Sequence, residues 1–120
     1  MMKLKMYGYP KCGTCRDALK WLQNKGHEVD MHDLFQEAPP VSVLSDLVER
    51  SGLDVQKFFN TSGEVYKEMQ LKDKVKQMPL DEKLALLASN GRLIKRPIID
   101  DGKTVTVGFK AADYENVWSR

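Results

Sequence analysis

The spacing of apolar and polar residues predicts a strand, a helix and a second strand at the start of the chain. Apolar residues in 3–8 indicate the first strand, and apolar residues recur at helical spacing over 13–25. Residues 27–32 alternate between polar and apolar, which is typical of a second strand. Because a helix connects the two strands, we expect them to be parallel.

The middle of the chain follows a helical pattern instead. It begins after the proline pair Pro39–Pro40, which breaks the preceding pattern. Helices are predicted over residues 41–51, 53–59, 64–77 and 80–88. No internal repeat or change in composition divides the chain. We therefore expect one domain over residues 1–120, with an α/β core at about 1–39 and 92–120 and an all-helical insertion at about 40–91.

The strand pattern returns near the end of the chain. Residues 93–99 predict a third strand, and the Asp-Gly pair at 101–102 is a strong hairpin signal. Residues 104–107 then form the returning antiparallel strand, and 110–118 predict a last helix. The predicted fold is α/β, with a thioredoxin-like four-stranded mixed sheet.

The two cysteines of the chain lie between the first strand and the first helix, at Cys12 and Cys15. A helix N-terminus offers free N–H groups and the positive end of the helix dipole, and both favour a thiolate at Cys12. Lys11 and Arg16 add positive charge nearby. Cys15, three residues further, can attack a mixed disulfide on Cys12. We therefore predict that Cys12 attacks and Cys15 resolves.

Two other interpretations of the cysteines remain. The pair could be half of a zinc site, but such sites usually need a second pair of ligands. The available histidines, His27 and His32, lie beyond the helix and are expected to be exposed. The cysteines could also be inert thiols. The spacing beside a strand–helix pattern favours a redox pair, and no metal ligand is assigned.

Composition narrows the classes of function. The 120 residues carry a net charge of +2, too small to argue for direct nucleic-acid binding. No apolar run approaches the ~20 residues that span a bilayer, so no membrane segment is expected. The N-terminus lacks the apolar stretch of a signal peptide. We therefore expect a cytoplasmic protein, where a disulfide between the cysteines would be transient.

Four separated motifs resemble the arsenate reductase family in its glutaredoxin-like form, which includes the Spx-type regulators. They are Tyr9–Arg16 (YPKCGTCR), Asn60–Gly63 (NTSG), Leu93–Ile98 (LIKRPI) and Val107–Phe109 (VGF). The resemblance covers essentially the whole chain. It implies a thioredoxin-like, or glutaredoxin-like, fold with a helical insertion, a cytoplasmic location and a nucleophile at Cys12.

The resemblance also implies an anion site. Arsenate reductases of this type hold the oxyanion with three arginines, and Arg96 matches one of them. Asn60 stands at the position of another, and no arginine occurs within 108–110. The residues predicted to contact an anion or substrate are Lys11, Gly13, Thr14, Arg16, Asn60 and Pro97. Arg96 is expected on the surface, either beside Cys12 or paired with a carboxylate, and the resemblance implies a cis peptide bond before Pro97.

The expected function is that of an arsenate-reductase-family thiol–disulfide redox protein, an oxidoreductase-like activity without a bound cofactor. An external thiol donor, such as glutathione with glutaredoxin or thioredoxin, would reduce the disulfide. The first alternative is an arsenate reductase that depends on such a donor. The second is an Spx-type redox-sensing regulator, for which the resemblance implies binding to the α subunit of RNA polymerase.

Overall fold

A mixed four-stranded sheet contains the four segments predicted as strands. The computed structural model describes residues 3–119. The strands are β1 (Lys3–Gly8), β2 (Glu28–Asp33), β3 (Ile98–Asp100) and β4 (Val105–Val107). β1 pairs with β2 in parallel and with β3 antiparallel, and β4 pairs antiparallel with β3. The strand order is therefore β2-β1-β3-β4, which confirms the predicted thioredoxin-like sheet.

In the described part of the chain, six α-helices and three short 3₁₀ turns connect and flank the strands. The helices are α1 (Gly13–Asn24), α2 (Val41–Ser51), α3 (Glu64–Glu68), α4 (Leu71–Lys74), α5 (Leu80–Ser89) and α6 (Ala111–Trp118). The 3₁₀ turns are Val55–Phe58, Val75–Gln77 and Gly91–Leu93. Within residues 3–119, no helix has the length and apolar character needed to cross a membrane.

The chain divides into two units, each with its own buried side chains. The first contains residues 3–33 and 96–119, and the second is Leu34–Lys95. In the first unit, α1 and α6 pack on one face of the sheet. The side chains buried there are Leu4, Met6, Ala18, Leu22, Ile99, Tyr114 and Trp118. Trp21 packs against this cluster, as an aromatic residue on the apolar side of α1 should.

His27 corrects one expectation from the sequence. It precedes β2 and is only 6% exposed, although both histidines were expected to be exposed. Its Nε2 atom forms a hydrogen bond with the backbone carbonyl of Trp118, at the end of α6. His32 is half-buried, with its ring 5.3 Å from that of Tyr7. The contact of His27 joins residues 91 positions apart, which a local sequence pattern does not reveal.

The second unit consists of helices and turns around its own apolar side chains. One isolated bridge, between Phe59 and Ile94, joins its extended segments. Gly91 is required here because a Cβ atom on it would lie 1.7 Å from the carbonyl oxygen of Leu34. The chain at residue 91 therefore packs directly against the backbone at residue 34.

Two predicted elements were too long. The helix predicted over 64–77 is divided into α3, α4 and a 3₁₀ turn, and Gln70 takes a left-handed conformation with φ 54° at the break. The strand predicted over 93–99 begins only at Ile98. The preceding Gly91–Leu93 segment is a 3₁₀ turn, capped by Asn90, whose side-chain oxygen accepts a hydrogen bond from the Arg92 N–H at 2.9 Å.

Candidate redox site

Cys12 is the N-cap residue of α1, which begins at Gly13. Its N–H donates to the carbonyl of Tyr9 at 3.0 Å, and its own carbonyl accepts from the N–H of Arg16 at 3.0 Å. These bonds fix the backbone on both sides of the residue. The thiol is free and half-buried. Cys12 therefore presents an accessible sulfur at the positive end of the helix.

Cys15 lies one turn inside the same helix and is fully buried, with 0% exposure. The end of β1 leaves room for it. A Cβ atom on Gly8 would lie 3.0 Å from the Sγ atom of Cys15 and 3.5 Å from its Cβ atom. The two thiols thus differ in access: solvent and external reagents reach Cys12, whereas Cys15 is enclosed by its own unit.

Arg96 lies beside Cys12 because of the sheet pairing. Ile98 pairs with Tyr7, so the residues just before β3 lie next to those just after β1. The guanidinium group lies near enough to the Cys12 sulfur to lower the pKa of that thiol, both as a hydrogen-bond donor and through its positive charge. Arg96 is half-buried, and its Nε and Nη1 atoms are shielded from solvent. Arg96 therefore lies beside Cys12 and is only partly exposed, and its role at a thiolate or an anion stays a prediction.

The two thiols have opposite pKa shifts. Burial is the largest single influence on the pKa of Cys12 and raises it, whereas hydrogen bonds from the backbone N–H and the thiol of Cys15 lower it. The hydrogen bond and charge of Arg96 act in the same direction, so the pKa of Cys12 is lowered from its ordinary value. The pKa of Cys15 is raised to about 12, mainly by burial. The neighbouring Cys12 sulfur contributes to this rise, while a backbone hydrogen bond from Tyr9 and the charge of Arg96 oppose it. Near neutral pH, Cys12 is the more readily ionised thiol.

Other predicted site residues occupy different surroundings. Lys11, Gly13, Thr14 and Arg16 are exposed around the start of α1. The peptide bond between Arg96 and Pro97 is cis, as expected. Asn60 belongs to the second unit, where its side chain lies against Gly63: a Cβ atom on that glycine would be 2.6 Å from the Nδ2 atom of Asn60. Anion or substrate contacts of these residues stay predictions.

The structure adds two residues that the sequence did not single out. Gly8 adjoins the resolving thiol, and a glycine at a strand end is a known signal for close approach of another group. Tyr114 of α6 is 1% exposed, and its hydroxyl donates to the carbonyl of Gly108 at 2.9 Å. No local sequence pattern identifies Tyr114 as a residue near the site. Within residues 3–119, no group of three or more His, Cys, Asp or Glu residues is placed to hold a metal ion.

The sheet order and the helix-end cysteine pair define a protein of the thioredoxin-like class. Residues 7–117 match the sequence model of the ArsC family, and the chain belongs to that family.

Three proteins are similar to this chain over most of its length. The uncharacterized protein YusI of Bacillus subtilis is 52% identical over 118 residues, covering 98% of this chain and all of YusI. A solved structure from Streptococcus mutans, described as a possible arsenate reductase, is 43% identical with a TM-score of 0.86, covering 95% of this chain and 96% of that one. The global transcriptional regulator Spx of Enterococcus faecalis is 29% identical, covering 88% of this chain and 79% of Spx.

Proposed function

We propose that this protein is a thiol–disulfide redox protein in which Cys12 is the nucleophile and Cys15 is the resolving thiol. One observation carries the proposal: the two thiols share a helix start but differ in access and in the direction of their pKa shifts. The accessible thiol is the one that ionises more readily. That is the arrangement required for attack by one sulfur and resolution by the other.

The reaction begins with attack of the Cys12 thiolate on a substrate disulfide. A bond forms between Cys12 and one substrate sulfur, and the other substrate sulfur leaves as a thiolate. The hydrogen bond and charge of Arg96 favour the thiolate of Cys12 before attack. Cys15 then gives up its proton, which balances the protonation of the first released thiolate through solvent, and attacks the Cys12 sulfur. The second substrate thiolate leaves, so the substrate disulfide gains two electrons and the protein holds a Cys12–Cys15 disulfide.

The buried position of Cys15 suits this second step. Burial is the main cause that raises the pKa of Cys15, but the Cys12 sulfur also contributes through a hydrogen bond and its charge. Once Cys12 is part of a mixed disulfide, its negative charge is gone, and that contribution to the pKa of Cys15 disappears. Formation of the first intermediate thereby makes ionisation of the resolving thiol easier. Because Cys15 is 0% exposed, an external disulfide does not reach it directly. The disulfide that Cys15 attacks is therefore the mixed disulfide formed on Cys12.

An external thiol completes the cycle. Two electrons from glutathione with glutaredoxin, or from thioredoxin, would reduce the internal disulfide and restore both thiols. The protein would need no bound cofactor for this cycle. It would act in the cytoplasm, where such donors keep thiols reduced.

Turnover of a small disulfide tests this function. The protein would be incubated with hydroxyethyl disulfide and either donor system, and thiol production would be followed. With at least one donor we expect turnover above the rate of the donor system alone. This excess should be lost in Cys12→Ala, and Cys15→Ala should form no internal disulfide. Ser45→Ala, an exposed change in α2 of the second unit, is the control and should leave turnover unchanged. Equal turnover in Cys12→Ala and the original protein would refute the proposal.

Arsenate reduction is the second candidate, because Arg96 lies against the nucleophile and a 43% identical protein is described as a possible arsenate reductase. A planar guanidinium binds an oxyanion through two hydrogen bonds, and neither lysine nor asparagine replaces it fully. The presence of Asn60 and the lack of arginine at 108–110 therefore predict weak arsenate binding. Arsenate-dependent thiol consumption above the arsenate-free rate, lost in Arg96→Ala, would support reduction. No difference between the two rates would exclude it.

Redox-sensitive regulation is the third candidate, favoured by the identity with Spx. A regulator would form a stable complex rather than turn over a substrate. Mixing the protein with the isolated C-terminal domain of the RNA polymerase α subunit tests this directly, once with both thiols reduced and once after oxidation. Binding in one redox state alone would support regulation. No binding in either state would leave the enzyme interpretation.

A further inference from the structure

A buried set of hydrogen bonds connects α6 to the turn that carries Arg96. The Tyr114 hydroxyl donates to the carbonyl of Gly108 at 2.9 Å. The N–H of Gly108 donates in turn to the carbonyl of Pro97 at 2.8 Å. Both backbone polar groups of Gly108 are therefore engaged, one by α6 and one by the residue after Arg96. This set of contacts ends one residue from the guanidinium that touches Cys12.

The ring of Tyr114 is fixed by its neighbours, so its hydroxyl has a defined position. Trp21 of α1 contacts it edge to face, with ring centroids 5.5 Å apart, and Phe109 does so at 4.8 Å. The side chain is 1% exposed. Burial raises the pKa of Tyr114 well above its ordinary value, and the nearby Cys15 charge adds to this, although a hydrogen bond with Thr106 opposes it. The hydroxyl therefore stays protonated and acts as a donor.

Gly108 can adopt the backbone conformation of this turn because it lacks a side chain. It is buried and has φ 81°, a conformation that other residues adopt only with strain. A turn in this conformation depends on its hydrogen bonds, since a buried carbonyl that loses its donor is destabilised. Removing the Tyr114 hydroxyl would let the Gly108 turn relax, and the carbonyl of Pro97 would lose a fixed partner.

We infer that Tyr114 is a positioning residue, which holds the Gly108 turn against Pro97 and thereby keeps Arg96 against Cys12. The inference deepens the proposed function and rests on it, because it concerns the same nucleophile. Tyr114 touches neither the substrate nor the attacking sulfur in this scheme. It acts through Arg96, so its effect should disappear when Arg96 is absent.

Tyr114→Phe tests the inference with little change in packing, since the ring and its contacts with Trp21 and Phe109 remain. The measured quantity is the rate at which iodoacetamide alkylates Cys12 as a function of pH. We expect the midpoint to move to higher pH and the rate below it to fall by about two- to tenfold, the range of one net hydrogen bond. The matched control is Tyr66→Phe, a buried tyrosine of the second unit that packs edge to face against Phe59. It should leave the profile unchanged.

The double variant Tyr114→Phe/Arg96→Ala separates positioning from a general structural effect. If Tyr114 acts through Arg96, the double variant should have the same Cys12 profile as Arg96→Ala alone. Gly108→Ala strains the same turn from its other side and should shift the profile in the same direction as Tyr114→Phe. It provides a second perturbation that leaves the tyrosine in place.

The outcomes separate this inference from the proposed function. If the original protein is alkylated first at Cys12 but Tyr114→Phe has the same profile, the positioning role is wrong and the proposed function stands. A shift that adds fully to that of Arg96→Ala would also overturn the inference, because the hydroxyl would then act by another route. If Cys15 is alkylated first in the original protein, both the proposed function and the inference fail.

Discussion

Iodoacetamide should react with Cys12 much faster than with Cys15, and the structure sets the size of the difference. The reagent attacks thiolates, so the ionised fraction of each thiol controls its rate. The pKa of Cys12 is lowered from 9.0 and that of Cys15 is raised to about 12, so the gap exceeds 3 pH units. At neutral pH this gives Cys12 a thiolate fraction more than ~1,000 times that of Cys15.

Intrinsic reactivity reduces this ratio. A thiolate of higher pKa is a better nucleophile, with a Brønsted coefficient of about 0.4–0.5. The Cys15 thiolate is therefore roughly 15 to 30 times more reactive than the Cys12 thiolate, which reduces the difference in rate. The remaining preference for Cys12 is therefore at least roughly thirty- to sixtyfold. Because Cys15 is 0% exposed, restricted access should widen this preference further.

The assay is brief alkylation at neutral pH, followed by denaturation, labelling of the remaining thiols with a second reagent, and peptide mass spectrometry. Cys12→Ala and Cys15→Ala give the rate of each thiol without the other. Cys15 should become reactive only when the protein is unfolded. Comparable rates for the two thiols in the folded protein, or faster labelling of Cys15, would refute the reasoning from burial and charge.

Two further predictions concern stability. Gly91→Ala places a Cβ atom 1.7 Å from the carbonyl oxygen of Leu34, so backbone must move; we expect a loss of at least about 3 kcal/mol, or roughly 12 °C in melting temperature. Gly13→Ala, with no atom within 4 Å of the added carbon, is the control, and equal melting temperatures for the two variants would contradict the packing at Gly91. Separately, the free energy of unfolding should fall as pH rises from 9 towards 12, because the unfolded Cys15 thiol ionises near 9.0 while burial raises its folded pKa to about 12. Urea titrations should show a smaller loss in Cys15→Ala, and parallel pH curves for the two proteins would contradict the burial of this thiol.

Local patterns predicted the part of the molecule in which structure and chemistry are local. β1, α1 and the cysteine pair lie within a short stretch, so hydrophobic spacing and the helix start were sufficient to predict them. The hairpin of β3 and β4 followed from its Asp-Gly turn for the same reason. The four-stranded thioredoxin-like sheet and the ArsC family were also predicted, the family from motifs rather than from spacing.

Long-range contacts explain what the sequence did not predict. Arg96 becomes half-buried because Ile98 pairs with Tyr7, and no pattern near residue 96 specifies that depth. His27 is buried where it contacts the end of α6. The Tyr114 hydroxyl is held by its hydrogen bond to the carbonyl of Gly108. The break at Gln70 lies within a charged segment whose helical spacing continues across it, so no local pattern indicates a left-handed residue there.

Trapping the mixed disulfide tests the central claim most directly, namely that Cys12 attacks and Cys15 resolves. Each protein would be exposed to oxidised glutathione at neutral pH, quenched in acid and analysed by intact mass. We predict that Cys15→Ala accumulates a single glutathione adduct at Cys12, that the original protein passes on to the internal Cys12–Cys15 disulfide, and that Cys12→Ala stays reduced. Rapid formation of an adduct on Cys15 in Cys12→Ala, or a lasting adduct in the original protein, would contradict the assignment.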